Sequence, residues 1–234
     1  MIPSLSFEVT PKHDMVLCSM AFGKSHIKML RIMQPTLEYY AEKYQLDCYI
    51  KELPGGLDPS RPGSWDKIIL LRHLLKFYKT VMWIDCDAII CNPSHDIRKD
   101  LDPRFSIQLV TDFGITPLFP NGGIWVVKDD PRTIEILEKV WEQTDMIDHP
   151  WWEQAAVCKL LGYDPNYDGN YYGPTKYTDW IGPLDIKWNS RPYNKDCSDD
   201  PAILHFCRLN NKHRIKEMKK QNEEFFIRVN NLEG

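Results

Sequence analysis

The sequence of 234 residues contains no apolar run approaching the ~18 residues that a membrane-spanning helix requires. It also lacks the basic block followed by an apolar block that opens a secretory leader, since Met1-Ile-Pro-Ser-Leu-Ser-Phe-Glu-Val-Thr10 mixes polar and apolar residues from the start. Massed positive charge is missing too. The 29 Lys and Arg are scattered among 33 Asp and Glu, for a net charge of −4, which leaves no electrostatic footprint for nucleic acid or an anionic membrane. The seven cysteines (18, 48, 86, 91, 158, 197 and 207) are odd in number and form no C-x-x-C pair. Neither a zinc ribbon nor a disulfide framework is therefore indicated. There is no internal repeat. These absences lead to the expectation of a soluble, cytoplasmic protein with no membrane span and no nucleic-acid partner.

What is present is ample apolar material, 43% of the chain, enough for one substantial core. Met15–Ala21 reads as a buried strand. Ser25–Tyr44 carries apolar residues at helical spacing, with Pro35 expected to kink or interrupt the helix. Leu46–Ile50 returns as a strand. Breakers crowd Pro54–Gly63, and a helical pattern follows from Trp65 to Phe77. The strand Val81–Ile84 is expected to be central and parallel, because alternating strands and helices build a parallel sheet with helices on both faces. Further strands are expected at Ser106–Thr111 and Gly123–Lys128. Helices are expected from Asp130-Pro131 to Thr144, over Trp151–Leu161, and in the polar stretch Asn210–Val229. Residues 162–201 read as long loops with short strands.

One stretch carries a conflict. Val81-Met-Trp-Ile-Asp-Cys-Asp-Ala-Ile-Ile90 places Asp85 and Asp87 inside an apolar run, and carboxylates are rarely buried unless paired or bound to metal. On a straight strand, residues i and i+2 share a face, but at the C-terminal end of a parallel strand, where open α/β sheets bind ligands, the turn can present both carboxylates to one cation. Mg²⁺ and Mn²⁺ prefer oxygen ligands and commonly combine one or two carboxylates with substrate phosphates, which points to a phosphorylated substrate. Alternatively the two aspartates cap the turn or pair with Lys67, Arg72 or Arg98. Cys86 between them is expected to pack inward rather than to react.

Five segments in order, Trp65-Asp-Lys-Ile-Ile-Leu-Leu-Arg72, Val81–Asp87, Asn121-Gly-Gly-Ile-Trp-Val-Val127, Trp151-Trp-Glu-Gln-Ala-Ala156 and Ile203-Leu-His-Phe206, resemble the landmarks of GT-A fold glycosyltransferases with a D-x-D motif. The likeness is to the retaining galactosyl-, mannosyl- and xylosyltransferases that include the plant xyloglucan xylosyltransferases. It implies a single α/β, Rossmann-like domain with a mixed, mostly parallel sheet flanked by helices. Residues 14–112 would form the nucleotide-sugar-binding half, 113–209 the acceptor side and 210–234 a C-terminal helix.

By this resemblance Asp85, Asp87 and His205 hold Mn²⁺ or Mg²⁺ against the diphosphate of a UDP-sugar, with Asp85 also near the ribose. An imidazole ligand makes Mn²⁺ the better choice. Gln154 would lie near the anomeric carbon, with Glu153 or Asn121 orienting sugar hydroxyls, although Asp is more usual than Glu at the first position of that pair. Ser19, Met20 and Ala21 would lie against base and ribose, Asp66 and Lys67 beside the nucleotide, and Lys212 against the phosphate. Gly122 and Gly123 would allow close approach of a sugar, though a turn into a strand also accounts for them. The implied activity is transfer of a sugar to a hydroxyl of a glycan or other acceptor, with retention. Two alternatives stand beside it: a Mg²⁺-dependent phosphatase with an aspartate nucleophile, and a sugar-nucleotide-binding module without turnover.

Overall fold

A computed structural model describes residues 1–111, 120–166, 170–193 and 196–233. The chain runs β1 (Met15–Phe22), α1 (Lys24–Tyr44), β2 (Asp47–Leu53), α2 (Asp66–Leu74), β3 (Thr80–Ile84), β4 (Ala88–Ile90), β5 (Ile107–Thr111) and β6 (Pro120–Lys128). It continues through α3 (Pro131–Glu142), α4 (Trp152–Leu160), β7 (Ile181–Leu184), β8 (Ile203–His205) and α5 (Asn211–Glu233). Six strands form one sheet in the order β2-β1-β3-β6-β5-β7, and β4 pairs with β8 in a separate two-stranded sheet. Among the described residues of the large sheet only the β3–β6 and β5–β6 pairings are antiparallel. The strand carrying the aspartates is thus central, as expected, but parallel to β1 and antiparallel to β6. The expected boundary between the two halves, at 112/113, lies outside the described residues.

The period of two along β1 separates the cores. Val16, Cys18 and Met20 pack with Trp65, Ile69, Ile136 and Ala155 under α2, α3 and α4. Leu17 and Ala21 pack on the other face with Met29, Met33, Trp188 and Phe225 under α1, α5 and the small sheet. A sheet covered on both faces explains why its strands read as continuous apolar runs. Asp130 caps α3 by accepting from the Arg132 backbone N–H at 2.8 Å, with Pro131 in the first turn.

Pro35 does not interrupt α1, which is one helix from Lys24 to Tyr44. A proline removes one helix hydrogen bond and crowds the carbonyls one turn back. Here side chains take up the neighbouring carbonyls: Asn222 of α5 donates to Ile32 O at 2.7 Å and Thr36 Oγ1 donates to Met33 O at 2.8 Å. Among the described residues no helix is long and apolar enough to cross a membrane.

Candidate active site

At the end of β3 the chain turns: the Asp85 N–H donates to Gly123 O of β6, and the Ala88 N–H donates back to Asp85 O, both at 2.9 Å. The turn ends β3 and begins β4, whose antiparallel register pairs Ala88 with His205. Phe206 N–H then donates to Asp87 O at 3.0 Å. The small β4–β8 sheet is therefore the device that carries His205 to a pair of aspartates far away in sequence. Gly123 makes the room. A Cβ there would lie 2.3 Å from His205 Cε1, so the imidazole occupies the space that any other residue would fill.

His205 Nε2 lies 3.2 Å from Asp87 Oδ1 and 4.0 Å from Asp85 Oδ2. Ligand atoms of Asp85, Asp87 and His205 all fall within 4.8 Å of one another. The imidazole is oriented from behind. Asn189 Nδ2 donates to Asn121 Oδ1 at 2.9 Å, which leaves Asn189 Oδ1 to accept from His205 Nδ1, also at 2.9 Å. That hydrogen-bond pattern assigns the proton to Nδ1 and aims Nε2 at the carboxylates, the arrangement a metal-binding histidine needs. Two oxygen donors and one imidazole suit Mn²⁺ or Mg²⁺, and a site with three protein ligands leaves room for substrate oxygens. The residues present fit a divalent cation.

Each aspartate is fixed through its other oxygen. Asp85 Oδ1 accepts from Trp83 Nε1 at 2.5 Å and pairs with Lys67 Nζ at 3.1 Å. Asp87 Oδ2 pairs with Arg214 Nη1 at 3.1 Å, and Arg214 Nε donates to Phe206 O at 3.1 Å. Burial would raise the Asp87 carboxyl, but His205 and Arg214 beside it hold it down, to about 2. Lys67 is buried and also holds Glu153 Oε1 at 2.7 Å and the Gly122 carbonyl. Burial works against the charge on Lys67, but Asp85 and Glu153 outweigh it and raise its pKa. Glu153, far from being a surface residue, is buried, and burial raises its carboxyl. Burial also pushes the Cys86 thiol well up.

The cleft in front of these groups has a volume of about 550 Å³. Of the residues singled out in the sequence, Met20, Ala21, Asp66, Lys67, Asp85, Asp87, Asn121, Gly122, Gly123, Glu153, Gln154 and His205 line it. Gln154 Oε1 accepts from the Gly122 N–H at 2.8 Å. Asn121 Oδ1 is committed to Asn189 and to the Gly123 N–H at 3.0 Å. Asp66 Oδ2 accepts from the Leu57 N–H at 2.9 Å and so ties down the breaker-rich loop; burial lifts its carboxyl to about 6. Two expected residues stand apart. Ser19 is fully buried and does not line the cleft, and Lys212 is exposed and does not line it either. In place of Lys212, Arg208 and Arg214 line the cleft. Asn189, Arg208 and Arg214 carry no local signature in the sequence, because their places at the site exist only once the chain around β8 and the start of α5 have folded against it.

Residues 59–230 match the nucleotide-diphospho-sugar transferase family. The chain belongs to that family. Among curated proteins no sequence match is found. In fold, the transferase is similar to a glycosyltransferase involved in glycosylation of the major capsid of PBCV-1, with a TM-score of 0.64 and 18% identity over 88% of this chain and 98% of that one. It is also similar to the galactosyltransferase LgtC in complex with donor and acceptor sugar analogues, with a TM-score of 0.58 and 10% identity over 91% of this chain and 96% of that one. An active-site mutant of LgtC, in which a glutamine is replaced by glutamate, gives a TM-score of 0.55 and 12% identity over 89% of this chain and 95% of that one. At such identities the likeness is one of fold, and that fold is GT-A. The protein is a glycosyltransferase, and the phosphatase alternative falls away.

Proposed function

We propose that this transferase moves a sugar from a UDP-sugar to an acceptor hydroxyl with retention, using a divalent cation, Mn²⁺ in preference to Mg²⁺, held by Asp85, Asp87 and His205. The observation that carries the reading is the convergence of those three side chains on the wall of the cleft. What a cation held there supplies is Lewis-acid stabilisation of the charge that builds on the leaving diphosphate. The protein's own groups do the rest. Trp83, Lys67 and Arg214 lock the carboxylates in place, and Asn189 locks the imidazole, so that little reorganisation is needed when the donor arrives.

Gln154 accepts one hydrogen bond from the backbone of Gly122, which leaves its amide N–H groups for a sugar hydroxyl or ring oxygen near the anomeric carbon. An active-site glutamine in LgtC agrees with that assignment. Retention is supported by the state of the carboxylates lining the cleft: Asp85 and Asp87 belong to the cation site, Glu153 is bound to Lys67, and Asp66 holds the Leu57 N–H. Each has an oxygen engaged within the protein, which favours retention over a mechanism that needs one of them free as the inverting base. The finer likeness to galactosyl-, mannosyl- and xylosyltransferases belongs to the same proposal.

The test is hydrolysis or transfer from UDP-glucose, UDP-galactose and UDP-xylose with and without Mn²⁺, with NMR of the freshly released sugar. The account expects metal-dependent release of the α-anomer, abolished by Asp87→Ala. Metal-independent turnover would remove the cation site, and release of the β-anomer would remove retention.

A further inference from the structure

We propose that the N-terminal halves of α1 and α5 together form a docking surface for an anionic glycan, a carbohydrate chain carrying repeated carboxylate or phosphate groups, and that this chain bears the acceptor hydroxyl. The inference rests on the transferase reading above and names the class of its acceptor. Basic residues scattered along the sequence are gathered here by packing. Asn222 of α5 donates to Ile32 O of α1, and the rings of Tyr39 and Phe225 meet edge to face. His26 of α1 and Arg214 of α5 both line the cleft. The two helices therefore run side by side in the same direction, and both start at the cleft. Lys24, Lys28 and Arg31 stand at i, i+4 and i+7 along α1, and Lys212, Lys216 and Lys219 do the same along α5, so each set forms a stripe on its helix. All six are exposed. Lys28 lies one turn before Ile32 and Lys219 one turn before Asn222, so the two stripes flank the contact between the helices.

This charge is not balanced within the protein. Arg31 pairs with Glu52 at 2.6 Å, but among the described residues the five lysines have no ion pair. Residues 24–37 contain no carboxylate, and residues 208–222 contain only Glu217, which is hydrogen-bonded to Tyr193. Like charges one turn apart repel, and lysines in a first turn face the positive end of the helix, so the arrangement costs stability in a chain whose net charge is −4. An unbalanced basic surface that begins at the cleft is complementary to a polyanion whose end enters that cleft. The composition of the surface selects among polyanions. Attachment to a bilayer needs large apolar side chains among the basic ones. On these two helices only Ile227 is such a residue, and it lies beyond Glu223 and Glu224. Nucleic acid is held through aromatic stacking and arginine forks. The stripes offer no aromatic ring, and their one arginine is taken by Glu52. Lysines, as mobile point charges, suit the separated anionic groups of a glycan chain.

The test is isothermal titration of the full chain with oligogalacturonate, phosphomannan and neutral dextran. The anionic glycans should bind, less tightly as salt rises, and dextran should not. Lys28→Glu combined with Lys216→Glu, both on exposed helix surface, should weaken that binding about tenfold or more and leave Mn²⁺-dependent UDP binding and the melting temperature unchanged. Lys139→Glu, on α3 across the sheet, should have no effect. With a UDP-sugar and Mn²⁺, the bound glycan should accept sugar, and the double variant should raise its KM while keeping kcat. Binding of neither anionic glycan, undiminished binding in the double variant, equal weakening by Lys139→Glu, or transfer to dextran alone would each overturn the proposal. Tighter binding to phosphatidylglycerol vesicles or duplex DNA than to either glycan would overturn the choice of partner. A protein that binds the glycans through these lysines but no UDP or GDP species would instead overturn the transferase reading, and with it the acceptor role.

Discussion

The side chains around the triad are held so tightly that single substitutions should separate their roles. Asn189 is not itself an expected metal ligand, yet it holds Nδ1 of His205, which is one. Asn189→Ala should weaken Mn²⁺-dependent UDP binding by roughly 10–100-fold, the usual cost of losing such an orienting partner, with the apo protein still folded. Titration calorimetry beside circular dichroism distinguishes this from plain unfolding, which would make Asn189 a packing residue only. Lys67 is the opposite case. Removing it leaves Glu153 buried with no compensating charge, so Lys67→Met should cost about 3–5 kcal/mol of stability in urea unfolding. The double variant Lys67→Met with Glu153→Gln should recover a substantial part. If the two effects simply add, the buried pair is not the source of the loss.

Asp66 gives a pH signature. Its carboxyl is lifted to about 6 by burial, so the folded protein holds that proton more firmly than the unfolded chain does. The stabilising contribution is therefore complete below the ordinary aspartate range and is lost as pH rises through about 6. Asp66→Asn keeps an acceptor for the Leu57 N–H and removes the titration. Its melting temperature should exceed that of the wild type at pH 8 and match it near pH 4, and an equal difference at both values would show that Asp66 does not titrate in this way.

Among the elements, the two most consequential are ones that local patterns obscure. Ala88-Ile-Ile90 and Ile203-Leu-His205 are each three residues long, too short for periodicity to reveal a strand, yet their pairing assembles the cation site. What the sequence does show is the conflict they resolve, two carboxylates in an apolar run. The α/β rhythm, the central position of β3 and the capped start of α3 follow from period and turn chemistry alone. The antiparallel insertion of β6 does not, since nothing local distinguishes the direction of a doubly buried strand. Pro35 misleads for a similar reason: the side-chain donors to the carbonyls of Met33 and Ile32 just before it lie on Thr36 and on distant Asn222. Asn222→Leu should cost about 1 kcal/mol, the net worth of one hydrogen bond, and should lower the melting temperature less in a Pro35→Ala background. An identical loss in both backgrounds would show that the asparagine is independent of the proline.

Across the whole molecule, one cleft gathers residues from β1, α2, the β3–β4 turn, β6, α4 and the loop after β8. The sheet supplies rigidity, the glycines of β6 supply room, and the strand ends supply charge, the usual place for ligands on an open α/β sheet. The landmark motifs were legible because each sits at a strand end or helix start. The partners that orient them were not, because those contacts exist only once the chain has folded. The central claim is that the nucleotide donor binds through a cation held by Asp85, Asp87 and His205. Thermal unfolding with UDP at about 100 times its dissociation constant should gain roughly 2.7 kcal/mol of stability, raising the melting temperature by about 5–11 °C. That rise should require Mn²⁺ and should vanish in Asp87→Ala and in His205→Ala. A wild-type protein whose melting temperature moves with no UDP or GDP species in the presence of Mn²⁺, or moves equally without the metal, would contradict the account.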